Sequence, residues 1–186
     1  MRIISGIFKG RNILQPIDKS TRPLKDLTKE SIFNIIQHSN KFKIDLKNSH
    51  VLDLFSGVGS FGIECLSRGA EFVTFIENYR NVLPILIKNL KNLQLENNYM
   101  IIEKDIMSDF KFNTLNNKFD LIFLDPPYKE KGLSNILEKI IEHKLLSKKG
   151  IIIMHRHKKQ LDQFPKKLQI LEIKKYGISK IIFASF

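Results

Sequence analysis

The sequence predicts an α/β protein built on a mostly parallel β-sheet with helices on both faces. Two observations carry this. From residue 51 onward apolar runs of four or five residues alternate with segments whose apolar positions recur at helical spacing, an order that generates parallel sheets. The first run, Val51-Leu52-Asp53-Leu54-Phe55, is nearly continuous in its apolar character, which suits a strand covered on both sides, and it ends in the tight turn Ser56-Gly57-Val58-Gly59.

The elements follow in order. Residues 2–14 alternate weakly, with Gly6 and Gly10 as punctuation, and predict a short N-terminal β-hairpin. After the turn-like Thr21-Arg22-Pro23, Leu24, Leu27, Ile32, Ile35 and Ile36 predict a helix to about His38, followed by a polar linker over 40–48. Ser60 is a candidate N-cap for a helix that carries Ile63 and Leu66 and stops before Gly69-Ala70. Residues 72–76 form the next strand. Asn81 is the candidate cap of a helix with Pro84 in its first turn and Leu83, Leu86, Ile87, Leu90 and Leu93 as its buried stripe. Strands over 100–102 and 121–124 flank an Asn-rich connection with room for a short helix. Leu133, Ile136, Leu137, Ile140 and Ile141 define the clearest helix, and strands follow at 151–154 and on both sides of Tyr176-Gly177, the last at 181–183. No repeat or second core is visible, so residues 1–186 are expected to form one domain, with 1–20 as an appendage on a core over 21–186.

Bulk properties exclude several classes. Forty-two per cent hydrophobic residues in 186 can build a sizeable core, while no apolar run spans a membrane and the start lacks a signal-peptide pattern. A soluble, cytoplasmic protein is expected. The single Cys65 excludes an internal disulfide and a cysteine-rich metal site. A net charge of +12 points to a polyanionic partner such as nucleic acid. Only six of the 31 basic residues are arginines, however, so part of that charge reflects a lysine-rich composition.

Gly57-x-Gly59-x-x-Gly62 fits a Rossmann-like nucleotide loop, and Glu77 lies about 20 residues on, where an acid can accept hydrogen bonds from ribose hydroxyls. NAD and S-adenosylmethionine both suit such a loop. Asp53 favours the second: a carboxylate inside a buried strand needs a partner, and the ammonium of the methionine moiety offers one where NAD does not. After the third strand, Asp105 can accept the adenine amino proton while the Ile106 N–H meets a ring nitrogen.

Asp125-Pro126-Pro127-Tyr128 follows the fourth strand directly and should stand at the carboxyl edge of the sheet. The exocyclic amino group of a base is a poor nucleophile because its lone pair is delocalised into the ring. An Asp carboxylate and a proline carbonyl, held rigid by two prolines, can each accept one amino proton and so localise that lone pair, while a tyrosine stacks on the base. The residues therefore predict methyl transfer to a nucleic-acid amino group.

With these motifs on hand, the chain resembles the bacterial 16S ribosomal RNA guanine-N2 methyltransferases of the RsmD type. The likeness runs through Met1-Arg2-Ile3-Ile4-Ser5-Gly6, Lys9-Gly10-Arg11, Thr21-Arg22-Pro23, the strand and loop 51–59, Leu66-Ser67-Arg68-Gly69-Ala70, Asp125-Pro126-Pro127-Tyr128 and Tyr176-Gly177. It implies a class I methyltransferase fold with a seven-stranded sheet, S-adenosylmethionine as cofactor, no metal, and transfer to the N2 of one guanine, position 966 of 16S rRNA. An assembled or partly assembled small ribosomal subunit is the implied partner; a monomer is expected. The resemblance makes Asp53, Phe55, Gly57, Gly59, Glu77, Asp105 and Ile106 cofactor contacts and Asp125, Pro126, Pro127 and Tyr128 the catalytic edge. It makes Arg2, Lys9, Arg11 and Arg22 RNA contacts. One departure stands out: an acidic residue is expected after the fifth strand, where this chain has Met154-His155-Arg156-His157. With no cysteine or acid cluster nearby, His155 and His157 read as surface or groove residues and not as metal ligands. An adenine-N6 methyltransferase of DNA or RNA would use the same Asp-Pro-Pro-Tyr and stays open as an alternative, as does a non-catalytic nucleic-acid-binding module.

Overall fold

A computed structural model describes residues 1–16, 24–108, 110–127 and 132–186. Seven strands form one sheet: β1 (His50–Leu54), β2 (Phe72–Glu77), β3 (Tyr99–Glu103), β4 (Phe119–Leu124), β5 (Leu146–His157), β6 (Gln169–Tyr176) and β7 (Ser179–Ser185), in the order β3-β2-β1-β4-β5-β7-β6. The first five run parallel, and β7 pairs antiparallel with both β5 and β6. This is the Rossmann-like class I methyltransferase arrangement. The order reverses between β1 and β4, and the crevice outside their carboxyl ends is where ligands of such sheets bind.

Side-chain alternation divides the core into two. Val51, Leu121 and Ile151 point to the face covered by α1 (Asp26–His38), α2 (Ser60–Ser67) and α3 (Leu83–Asn92). Leu52, Ile122 and Ile152 point to the face covered by α4 (Leu133–Glu142) and a 3₁₀ turn at Phe112–Thr114. That turn is the short helix expected in the Asn-rich connection. Within the helices, Leu27 and Ile87 depart from the predicted stripes and are exposed.

Neither predicted side-chain cap forms. Gly59, in the left-handed region at φ 82°, leads into α2, and Val82 leads into α3 with Pro84 in its first turn. Gly62 has a packing reason: a Cβ there would collide with the Phe75 ring, so its absence lets α2 lie close on β2.

The N-terminal segment is less regular than the predicted hairpin. Arg2 and Asn12 make an isolated antiparallel bridge, with further backbone bonds from Ile3 to Arg11 (2.9 Å) and from Ile13 to Met1 (3.0 Å), but no full strands. Side chains far along the chain hold it instead. Glu64 of α2, fully buried, accepts the Ile4 and Ser5 N–H groups at 2.8 and 3.0 Å, and the Ser67 hydroxyl accepts the Phe8 N–H at 3.0 Å. Asn89 of α3 exchanges hydrogen bonds with the backbone of Leu14 and donates to the Val58 carbonyl at 3.1 Å, tying the segment to the glycine loop. The turn at 21–23 lies outside the described residues.

Glu64 also pairs with Arg68 at 2.8 Å and with Lys29 at 3.6 Å; Lys29 is itself fully buried, and burial lowers its ammonium pKa against the pull of Glu64. Removing the acid strands a buried cation and two backbone donors together. Glu64→Ala is expected to cost about 3–5 kcal/mol in urea unfolding and to expose the Ile4 and Ser5 amides to hydrogen exchange; a loss near zero would show that the segment is held by packing alone.

Candidate active site

β1 and β4 pair in register, Leu54 opposite Leu124, so the residues that follow each strand stand next to each other. After β1 the chain turns at once. Phe55 adopts φ 60°, a conformation that costs a bulky side chain energy and persists only where surrounding structure enforces it. Two bonds enforce it from β2: the Ser56 N–H donates to the Ile76 carbonyl at 3.1 Å and the Gly57 N–H to Glu77 Oε2 at 2.7 Å. The other Glu77 oxygen accepts the Asn78 and Tyr79 N–H groups, both at 2.9 Å. Glu77 thus shapes the loop and retains lone pairs for hydroxyl donors.

A cavity of about 480 Å³ lies at this reversal point. Asp53, Phe55, Gly57 and Glu77 line one side, Asp125, Pro126 and Pro127 another. Sequence reasoning placed all seven in one site, and the fold brings them together. Leu24, Phe61, Tyr79 and His155 also line the cavity and were not singled out as ligand contacts. Tyr79 had a usable signal, two residues past the acid that ends β2.

Other expected contacts lie elsewhere. Gly59 is not in the cavity lining; a Cβ there would strike Leu86, so the bare backbone allows close packing under the loop. Asp105 is exposed and its Oδ1 accepts the Met107 N–H at 2.9 Å, while the Ile106 side chain is buried in the α4-side core. Neither reaches the cavity lining. Arg2, Lys9 and Arg11 are exposed on the N-terminal segment, the Arg11 guanidinium 5.4 Å from the centre of the Phe8 ring. Arg22 and Tyr128 lie outside the described residues. Of the surface and groove readings of His155, the structure bears out the groove: the side chain is buried in the cavity lining, and its Nδ1 is 2.8 Å from Asp125 Oδ1. β5 continues past Met154, and strand alternation turns His155 toward the cavity. Among the described residues no cluster of three metal-ligating side chains occurs, and no helix is long and apolar enough to cross a membrane.

Asp53 is the electrostatic centre of the site. Its Oδ2 accepts the Gly62 N–H at 2.9 Å, while Oδ1 is buried with no hydrogen-bond partner among the described residues. Burial, with the neighbouring Asp125 and Glu77 charges, pushes its pKa up to about 8 against the opposing Gly62 bond. A half-satisfied buried carboxylate suits a cationic ligand. Beside it Gly57, at φ 55°, has open space where a Cβ would stand, so backbone and ligand can approach closely. The cavity's size, this acid and the ribose-suited Glu77 together fit S-adenosylmethionine.

Sheet order, glycine loop and acid-lined switch-point cavity define a class I methyltransferase fold. Comparison with known proteins narrows this. The model of the family described as conserved hypothetical protein 95 matches residues 1–185. The chain belongs to that family, that of the RsmD-type methyltransferases. It is 34% identical over 183 residues to a putative rRNA methyltransferase, YlbH, of Bacillus subtilis, spanning 97% of this chain and 96% of that one. It is likewise 34% identical over 164 residues to the ribosomal RNA small subunit methyltransferase D of Buchnera aphidicola subsp. Acyrthosiphon pisum, spanning 88% of this chain and 82% of the other. Among solved structures, the putative methyltransferase yhhF of Escherichia coli superposes with a TM-score of 0.78 at 26% identity, covering 99% and 96% of the two chains.

The raised Asp53 pKa has a measurable sign. Between the unfolded value of 3.8 and the folded value of about 8 the folded chain holds the extra proton, so this group's contribution to stability is complete below that window and is lost as pH rises through it. Asp53→Asn lacks the titration. Its unfolding midpoint relative to the unsubstituted chain should therefore rise between about pH 4 and about pH 8 in thermal denaturation and level off above that; a pH-independent difference would mean that Asp53 titrates normally.

Proposed function

We propose that the protein transfers a methyl group from S-adenosylmethionine to the exocyclic N2 of a guanine in small-subunit ribosomal RNA. The observation that carries this reading is that the half-satisfied Asp53 and the Asp125-Pro126-Pro127 edge line one cavity. The names of the relatives support the choice of RNA.

When bound, the cofactor supplies an electrophilic methyl group on a sulfonium. Asp53 Oδ1 would hold its ammonium and Glu77 its ribose hydroxyls, and the open space at Gly57 leaves room for close contact. Phe61 and Phe123 give the cavity apolar walls that exclude water and strengthen the charge interactions inside. Asp125 and the Pro126 carbonyl each accept an amino proton from the guanine, favouring a pyramidal nitrogen whose lone pair faces the methyl group. Deprotonation need not precede transfer, since the N–H becomes strongly acidic only once nitrogen carries the methyl group; the proton then leaves to Asp125 or to water.

The exposed Arg2, Lys9 and Arg11 make the N-terminal segment an RNA-binding appendage, Arg22 is a further RNA contact, and the target guanine's surroundings in a whole or partly assembled subunit supply specificity. The protein acts as a cytoplasmic monomer, and sulfonium methyl transfer needs no metal.

Incubation with labelled cofactor and naked 16S rRNA, small subunits or DNA, followed by digestion to nucleosides, is expected to yield N2-methylguanosine from RNA substrates; N6-methyladenine as sole product would overturn the reading. In the same assay Asp125→Ala should cut turnover by about 10²-fold or more while cofactor affinity stays nearly unchanged.

A further inference from the structure

We infer that His155 is a positioning residue for methyl transfer: its imidazole pins the Asp125 carboxylate so that one oxygen stays aimed at the substrate amino group. The inference rests on the methyl-transfer reading above. β4 and β5 are parallel and in register at Leu124 and Met154, so Asp125 and His155 occupy the next position on adjacent strands. Phe123 and Ile153, two residues earlier, share a core with α2, and both Asp125 and His155 turn toward that same face, into the cavity.

The 2.8 Å contact joins Nδ1 to Oδ1. An ionised carboxylate can only accept, so Nδ1 carries the hydrogen. With Oδ1 thus engaged, Oδ2 has no hydrogen-bond partner among the described residues and is the oxygen available to the substrate. The pinning matters because the terminal torsion of an aspartate is broad and two-fold. An unpinned carboxylate would rotate away from an amino group that needs one fixed acceptor, and orientation is a large part of what such a site contributes.

Charge favours histidine over the acid expected at this place. Asp53, Glu77 and Asp125 already share the cavity, and Asp125 acts on Asp53 as a like charge. A fourth carboxylate against Asp125 would favour its protonation and remove the acceptor. The imidazole instead offers an N–H donor to that carboxylate, at 2.8 Å. Arg156, the next residue, does not compete for the role, because alternation turns it to the opposite face, where its Nε meets Asp162 Oδ1 at 2.9 Å.

The test compares His155→Leu and His155→Asn with the unsubstituted chain, measuring kcat, KM for the RNA substrate, S-adenosylhomocysteine affinity and unfolding midpoint. His155→Leu should lower kcat by about tenfold or more with KM and cofactor affinity nearly unchanged. His155→Asn, whose Nδ2 occupies the place of Nδ1, should recover most of that loss. Unchanged kcat in the leucine variant, or an asparagine variant no better than leucine, overturns the inference. A measurement on the unsubstituted chain needs neither activity nor a stable variant. In ¹⁵N-histidine spectra, with the His155 signals identified by their absence from His155→Asn or, should that variant not fold, by contacts to neighbouring residues, Nδ1 should be protonated; a ring protonated only at Nε2 overturns the proposal. If the unsubstituted chain methylates no guanine N2, the wider reading fails, and the spectra still decide whether the imidazole holds Asp125.

Discussion

The parallel pairing of β1 with β4 is the constraint on which the site depends. With Leu54 opposite Leu124, two loops that are far apart in sequence leave the sheet at the same height, one carrying a glycine turn and the other an Asp-Pro-Pro edge. Each loop alone is a common feature. Side by side they enclose a cavity with Asp53 on one wall and Asp125 on another, and the reversal of strand order at this point keeps a crossover helix from covering it.

Two buried acids on neighbouring elements show how structure and function divide. Glu64 is fully satisfied, by two backbone N–H groups and two cations, and its work is to fasten the N-terminal segment to α2. Asp53 is buried just as deeply but keeps one oxygen without a hydrogen-bond partner among the described residues. Folding alone would not favour that arrangement, since an incompletely paired carboxylate carries a desolvation cost. A cationic ligand placed against the open oxygen would remove that cost on binding. Through Asn89, which touches both Leu14 and Val58, the glycine loop is also fastened to the segment bearing the basic residues.

Much of the sheet was legible because its signals are local: apolar runs for strands buried on both faces, and i, i+3, i+4 spacing for α4. The lining residues 53, 55, 57, 77 and 125–127 were legible because each sits at or beside a strand's carboxyl end, and in a parallel sheet those ends converge. What was hidden depends on distant partners. The bonds holding the N-terminal segment span 59 to 75 positions, so a weak alternation read as a hairpin. Ser60 and Asn81 have the chemistry of caps, but Gly59 and Val82 make the entries. Whether His155 faces the surface or the groove could not be read locally, because its partner lies on the adjacent strand, 30 positions earlier. Asp105 follows its strand as expected, yet caps its own turn outside the cavity.

The most direct measurement is a crystal structure of the protein with S-adenosylhomocysteine. The ammonium should meet Asp53 Oδ1 and the sulfur should lie between the Gly57 turn and Asp125. A ligand bound away from β1 and β4, with Asp53 still half-paired, would contradict the site.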